Sequence, residues 1–248
     1  VVLQDQARPE SVRWCSVRLP AGTHHVEARV FTPAARQGGW LVWAHGGSWR
    51  GGSVEGWHGA TADLARVSGC TVVSVEYRLA PAHRHPDALA DVLTALDWTF
   101  AQAAAAGPEA VAVGGDSAGG TLAAAAALAC RDRGLPLAAQ VLAYPPLDPS
   151  CTAPSYTRYL DNFPSPQAMT AAWRAYRASG GPVAADGTRL YSTPFEAADL
   201  AGVAPALLAV GEYDPVADDV RRYRDLLRAA GVEVELAELP RTFHGAFL

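Results

Sequence analysis

Five short, unbroken apolar runs separated by helical patterns constrain this chain more than any other feature of it. Residues 40–44, 70–75, 110–113, 138–143 and 206–210 read as strands buried on both faces, which need no polar alternation. Between them, Leu89, Val92, Leu93, Leu96 and Phe100 line one face of a helix. Pro86 stands at its start, where a missing N–H costs nothing, and Gly107-Pro108 at its end. Val216, Val220, Tyr223, Leu227 and Ala230 make a second such face, closed by Gly231, and residues 117–133 form an Ala-rich helix ended by Gly134 and Pro136. Strand–helix alternation of this kind builds a mostly parallel sheet flanked by helices, the α/β class. Ahead of it, residues 11–19 and 24–32 read as two strands of a hairpin turning at Leu19-Pro20-Ala21-Gly22, and residues 232–239 alternate as an edge strand does. The 248 residues suffice for one full α/β core, so the chain reads as a single domain. Residues 145–194 break the rhythm: rich in Pro and Gly, with one helical stretch at 169–178, they read as an insertion over one end of the sheet.

Charge and composition exclude several functions. Twenty basic residues against 25 acidic ones give a net charge of −5, which argues against a nucleic-acid partner, since phosphate binding needs clustered positive charge. All 20 basic residues are Arg, and the chain has no Lys. Schiff-base enzymes and P-loop ATPases, which depend on Lys, are thereby excluded. No window reaches the roughly 18 consecutive apolar residues of a membrane span, and residues 1–10 lack the basic-then-apolar pattern of a signal peptide. Cys15, Cys70, Cys130 and Cys151 are widely spaced and form no C-x-x-C pair. A cytoplasmic protein with free thiols, away from membranes, is the expectation.

The strongest chemical signal is Gly115-Asp116-Ser117-Ala118-Gly119, which follows the strand at 110–113 and opens the Ala-rich helix. G-x-S-x-G between strand and helix is a nucleophile elbow: the turn is too sharp for large neighbours and presents the serine at the strand end. Taken without that context, the motif is equally a Gly-rich turn. Upstream, His45-Gly46-Gly47-Ser48-Trp49 directly follows the apolar run at 40–44. Adjacent glycines there let backbone N–H groups face an incoming oxyanion; the competing reading is a plain turn with His45 satisfied by local backbone.

These motifs, with Glu76-Tyr77-Arg78-Leu79-Ala80-Pro81, Gly211-Glu212-Tyr213-Asp214-Pro215 and Phe243-His244-Gly245, resemble those of the hormone-sensitive-lipase-like esterases of the α/β-hydrolase superfamily, and they span nearly the whole chain. The resemblance implies the α/β-hydrolase fold with a small, reduced cap at about 145–194. It also implies a Ser-Asp-His triad of Ser117, Asp214 and His244. The oxyanion hole would be formed by Gly46, Gly47, Ser48 and Ala118. The residues agree independently: Ser, acid, His is the chain order this fold needs, and Asp214 follows the strand at 206–210. Asp218 and Asp219 are rival acids expected to face solvent or cap neighbours. Among the other histidines, His24 and His25 fall on an early strand, His58 on the first helix, and His83 and His85 form an H-x-H pair without further ligands, so no metal site is expected.

Three departures from the family pattern qualify the expectation. Ser48 stands where most relatives have a third Gly, and only its N–H is needed there. Ala82 and Glu76 replace a common Glu and Asp, and are expected to act on packing or loop structure. Fewer than 20 residues precede the first hairpin turn, and only four follow His244, so the family's N-terminal cap helices and closing helix look absent or cut off. A short or open pocket suited to small acyl groups is expected, with Tyr156, Tyr159, Phe163 and Trp173 as lining candidates, although packing of the insertion on the core is the better account of most of them. The implied activity is serine carboxylester hydrolysis of short-chain acyl esters, without a cofactor and on a small-molecule substrate. The oligomeric state is left open, a homodimer included. Two alternatives stand beside it. One is an arylformamidase-type amide hydrolase, whose loop carries a Trp like Trp49; the other is a non-catalytic ligand-binding relative.

Overall fold

The computed structural model describes residues 11–107, 109–177 and 182–247. The expectation at residues 1–10, the helix stop at Pro108 and the end of a helix at Ala178 therefore lie outside the described residues. Eight strands form one sheet in the order β1-β2-β4-β3-β5-β6-β7-β8. β1 (Val12–Ala21) and β2 (His24–Pro33) are the expected hairpin, and β2 joins β4 (Thr71–Glu76) antiparallel. From there every pairing is parallel, through β3 (Trp40–Ala44), β5 (Val111–Asp116), β6 (Leu137–Ala143), β7 (Ala206–Gly211) and β8 (Val234–Leu239). The apolar runs thus mark the strands to within a few residues.

Side-chain alternation shows why these strands carry no polar face. Val42 and Ala44 of β3, with Val73 and Val75 of β4, enter the larger core, while Leu41, Trp43 and Val72 enter a second one with Phe31 and Ala65. Successive residues therefore bury on opposite sides, and both sides are apolar. The larger core is shared with α2 (Asp87–Ala106), α3 (Ala118–Asp132) and α6 (Ala217–Ala229); the smaller one lies under α1 (His58–Ser68). α3 is buried at 13 successive positions from Ala118 to Cys130, so its Ala bias is structural: a helix apolar all round is enclosed by the core, and Leu122 and Leu128 are the larger side chains among its alanines. β8 is the outer strand at the parallel end of the sheet, opposite β1, and its burial alternates at Val234 and Leu236.

Among its described residues the 145–194 stretch holds two helices, α4 (Pro154–Arg158) and α5 (Pro166–Tyr176), and one antiparallel bridge, Val183–Arg189. α5 starts three residues earlier than the helical pattern because Ser165 caps it, accepting from the Ala168 N–H at 3.2 Å, with Pro166 at the first helical position. α4 carries no such sequence signature beyond its leading Pro154. Among the described residues no helix is long and apolar enough to cross a membrane, and all four cysteines are free, with Cys130 and Cys151 buried and Cys15 exposed.

Candidate active site

β5 ends at Asp116 and α3 begins at Ala118, leaving Ser117 alone at the corner with φ 51° and ψ −121°. That is a strained conformation for a residue with a side chain, and it persists because the flanking strand and helix fix it. The corner also needs Gly119: a Cβ there would collide with the Ala44 carbonyl of the neighbouring strand. The parallel sheet does the rest. β5, β7 and β8 run in the same direction, with β6 between β5 and β7, so the loops leaving their C-terminal ends meet. Those loops carry Ser117, Asp214 and His244.

The three side chains form one continuous hydrogen-bonded line. Ser117 Oγ lies 2.8 Å from His244 Nε2, and His244 Nδ1 lies 3.0 and 2.9 Å from the two oxygens of Asp214. The His244 and Asp214 side chains are both buried. With Asp214 ionised, the proton must sit on Nδ1, which leaves Nε2 to accept from the serine hydroxyl. Asp214 is itself held by the Val216 N–H, which donates to its Oδ1 at 2.9 Å. The Tyr144 and Phe163 rings pack beside His244 at 4.8 and 5.7 Å between centroids. Phe163 is 68% exposed.

The loop after β3 turns back toward this corner. Gly47 has φ 118°, and a Cβ there would strike the Gly51 carbonyl, so this position requires glycine. Ser48 and Trp49 follow at φ 55° and 58°, in the left-handed region a third Gly would enter more cheaply. The N–H groups of Gly47 and Ser48 have no acceptor among the described residues. Gly46 lies against the Asp116 carboxylate, whose Oδ2 a Cβ at this position would meet at 2.5 Å. Ala118 opens α3, where the first backbone N–H groups are unused by the helix and carry its positive end.

Asp116 carries no motif role of its own, yet it ties the Ser117 corner to the loop after β3. Its carboxylate accepts from the indole N–H groups of Trp43 at 3.2 Å and of Trp57 at 3.0 and 3.1 Å. Burial pushes its pKa up to about 6 despite these donors. His45 lies on the same loop. It is buried against Tyr77, whose hydroxyl donates to the His45 carbonyl at 2.7 Å, and its Nδ1 donates to the Gly46 carbonyl at 2.7 Å. Burial lowers its pKa to about 4, so the imidazole is neutral at pH 7. Trp49 is fully buried and stacked on Tyr176.

The rival acids divide. Asp218 accepts from the Ser155 N–H at 2.9 Å, as a capping residue would. Asp219 does not face solvent: it is buried and accepts from the Leu147 and Asp148 N–H groups at 3.0 and 3.1 Å and from the Tyr156 hydroxyl at 3.1 Å. Its position three residues after Val216 and four before Tyr223 puts it on the buried side of α6, a signal present in the spacing. Glu76 accepts from the Val54 N–H at 2.7 Å and so shapes the loop that follows β3. His24 pairs with Asp91, His58 with Arg29 and His83 with Asp87. His85 is buried against Tyr176 and the Leu190 carbonyl. Of the insertion's aromatics, Tyr156 and Trp173 are core residues, Tyr159 packs on Tyr213, and only Phe163 touches His244.

A family model described as alpha/beta hydrolase fold matches residues 41–248. The chain is 38% identical over 209 residues to carboxylesterase NlhH of Mycobacterium tuberculosis, covering 83% of this chain and 65% of the relative. It is 36% identical over 230 residues to an ethyl acetate hydrolase of Pseudomonas putida, covering 89% of this chain and 71% of that one. Among solved structures, a bacterial heroin esterase superposes with a TM-score of 0.86 at 35% identity, covering 97% of this chain and 78% of the other. The chain thus spans just under two thirds of the length of the mycobacterial carboxylesterase.

Proposed function

The chain belongs to the hormone-sensitive-lipase-like branch of the α/β-hydrolase superfamily, and from that premise we propose that it is a carboxylic ester hydrolase acting through Ser117, His244 and Asp214 on short-chain acyl esters. One observation carries the reading: the unbroken line from Ser117 Oγ through His244 to Asp214 at hydrogen-bond distance. Ser117 attacks the acyl carbonyl while His244 Nε2 takes its proton. Asp214 holds the imidazole in the Nδ1–H tautomer and stabilises the imidazolium. Negative charge gathers on the carbonyl oxygen, and the N–H groups of Gly47, Ser48 and Ala118 are its donors in this reading. The tetrahedral intermediate collapses as His244 returns the proton to the leaving alcohol. A water deprotonated by His244 then attacks the acyl-serine, and this second tetrahedral intermediate releases the carboxylic acid as His244 returns the proton to the Ser117 oxygen.

A relative that is an ethyl acetate hydrolase supports a small acyl group, and the exposed Phe163 ring beside His244 supports an open approach to the serine. The test is hydrolysis of p-nitrophenyl acetate, butyrate, octanoate and laurate by the wild type and by Ser117→Ala. Rates should fall along the series, and the variant should lose roughly 10⁴- to 10⁶-fold in kcat. Equal rates in the two proteins would remove Ser117 from the reaction, and a preference for laurate would overturn the short-chain assignment.

A further inference from the structure

The loop that carries Asp214 is gripped from outside by the 145–194 stretch. Asn162 Nδ2 donates to the carbonyl of Tyr213 at 2.7 Å, on one side of Asp214. On the other side, Ser155 Oγ donates to the carbonyl of Pro215 at 2.7 Å and accepts from the Asp218 N–H at 3.1 Å. Ser155 is fully buried. The carbonyls of both residues flanking Asp214 are therefore fixed by side chains from outside its own loop. The same short segment also touches the histidine. Tyr159 packs edge-on against Tyr213, Tyr213 packs on Phe243, and Phe163 packs edge-on against His244.

A carboxylate orients an imidazole only if its own backbone is held, because a displacement of about 1 Å costs on the order of 10²-fold in rate. Backbone bonds close the turn, from the Asp214 N–H to the Gly211 carbonyl at 3.3 Å and from the Ala217 N–H to the Asp214 carbonyl at 3.1 Å, and the Tyr213 N–H donates to the Thr242 carbonyl at 3.0 Å; the flanking Tyr213 and Pro215 carbonyls are held by Asn162 and Ser155. We propose that residues 155–163 are a positioning device for the Asp214–His244 pair, with Asn162 and Ser155 as positioning residues that hold the acid in register. The inference rests on the assignment of Asp214 and His244 made above. It gives the insertion a role at the acid of the triad, because whatever displaces this segment also displaces Asp214.

The test uses Asn162→Ala and Ser155→Ala, with Ser155→Thr as a variant that keeps the hydroxyl. Two readouts are taken on each: p-nitrophenyl acetate hydrolysis, and the rate at which a fluorophosphonate probe phosphonylates Ser117. In the second, the Ser117 oxygen bonds to phosphorus, fluoride leaves, and His244 takes the serine proton. Far-UV circular dichroism and thermal unfolding confirm that each protein is folded at the assay temperature. Asn162→Ala, at a partly exposed position, should lose about tenfold in kcat and in the limiting phosphonylation rate, with KM and probe affinity unchanged. Ser155→Ala should do the same, and Ser155→Thr should recover most of the loss. Wild-type rates in a folded Asn162→Ala would overturn the proposal, as would a loss confined to KM. If the wild type labels at Ser117 but hydrolyses no ester, the ester reading fails, and the phosphonylation rates still decide the positioning role.

Discussion

Asp116 and His45 sit within one buried patch behind the serine, and they titrate in opposite senses. The Asp116 carboxyl has an ordinary value of 3.8, raised to about 6 by burial. The folded state therefore holds a proton that the unfolded chain has lost, and stability falls as pH rises from about 4 to 6. His45 is lowered by burial from 6.5 to about 4. There the unfolded chain takes up a proton that the folded state refuses, so stability falls as pH drops from about 6.5 to 4. Over the shared window the two dependences oppose one another. In Asp116→Asn the first disappears and the second is unmasked. Groups common to both proteins cancel in the difference, so variant minus wild-type stability should rise by up to about 3 kcal/mol between pH 4 and 6. Urea midpoints measured every half pH unit check this. A difference independent of pH would mean that Asp116 titrates in the folded protein as it does in the unfolded chain.

At the scale of elements, strand and helix positions were legible because burial on both sheet faces leaves unbroken apolar runs, and helix faces leave a 3.6-residue spacing. The Ser117 corner was legible for a related reason: a strand, three small or tightly turning residues and a helix leave few alternatives. What could not be read were pairings between distant segments. Asn162 with Tyr213, Ser155 with Pro215, and Trp57 with Asp116 each join residues about 50 or more apart, and no local pattern marks either partner. α4 stayed hidden because five residues are too short to show a period. Helix α3 is the element where sequence and packing agree most closely, and its tolerance can be measured. Ala125 is fully buried in a helix packed against β3, β5, β6 and α2. Ala125→Leu adds three carbons with no space to receive them, and should cost about 1–3 kcal/mol by chemical denaturation. An unchanged urea midpoint would mean that a void lies beside the helix.

Across the whole molecule, the three residues of the hydrogen-bonded line are not held with equal firmness. Ser117 stands between a central strand and an enclosed helix, and Asp214 follows β7, which has neighbours on both sides. His244 follows β8, the outer strand, where four of six residues are exposed. Its loop is tied back by the Tyr213 N–H to the Thr242 carbonyl at 3.0 Å and by the Arg241 N–H to Glu212 at 2.8 Å. Outer strands with solvent-exposed backbone bonds open at lower free energy than core strands do. The β8–His244 arm should therefore loosen while the centre of the sheet is intact. In hydrogen exchange, amides of residues 234–247 should exchange well before those of β3 and β5, and phosphonylation of Ser117 should slow the 241–247 amides by bracing the imidazole. On heating, esterase activity should decay several degrees below the loss of far-UV ellipticity. Coincident loss of activity and ellipticity, with uniform exchange across the sheet, would show that the outer strand unfolds only together with the core.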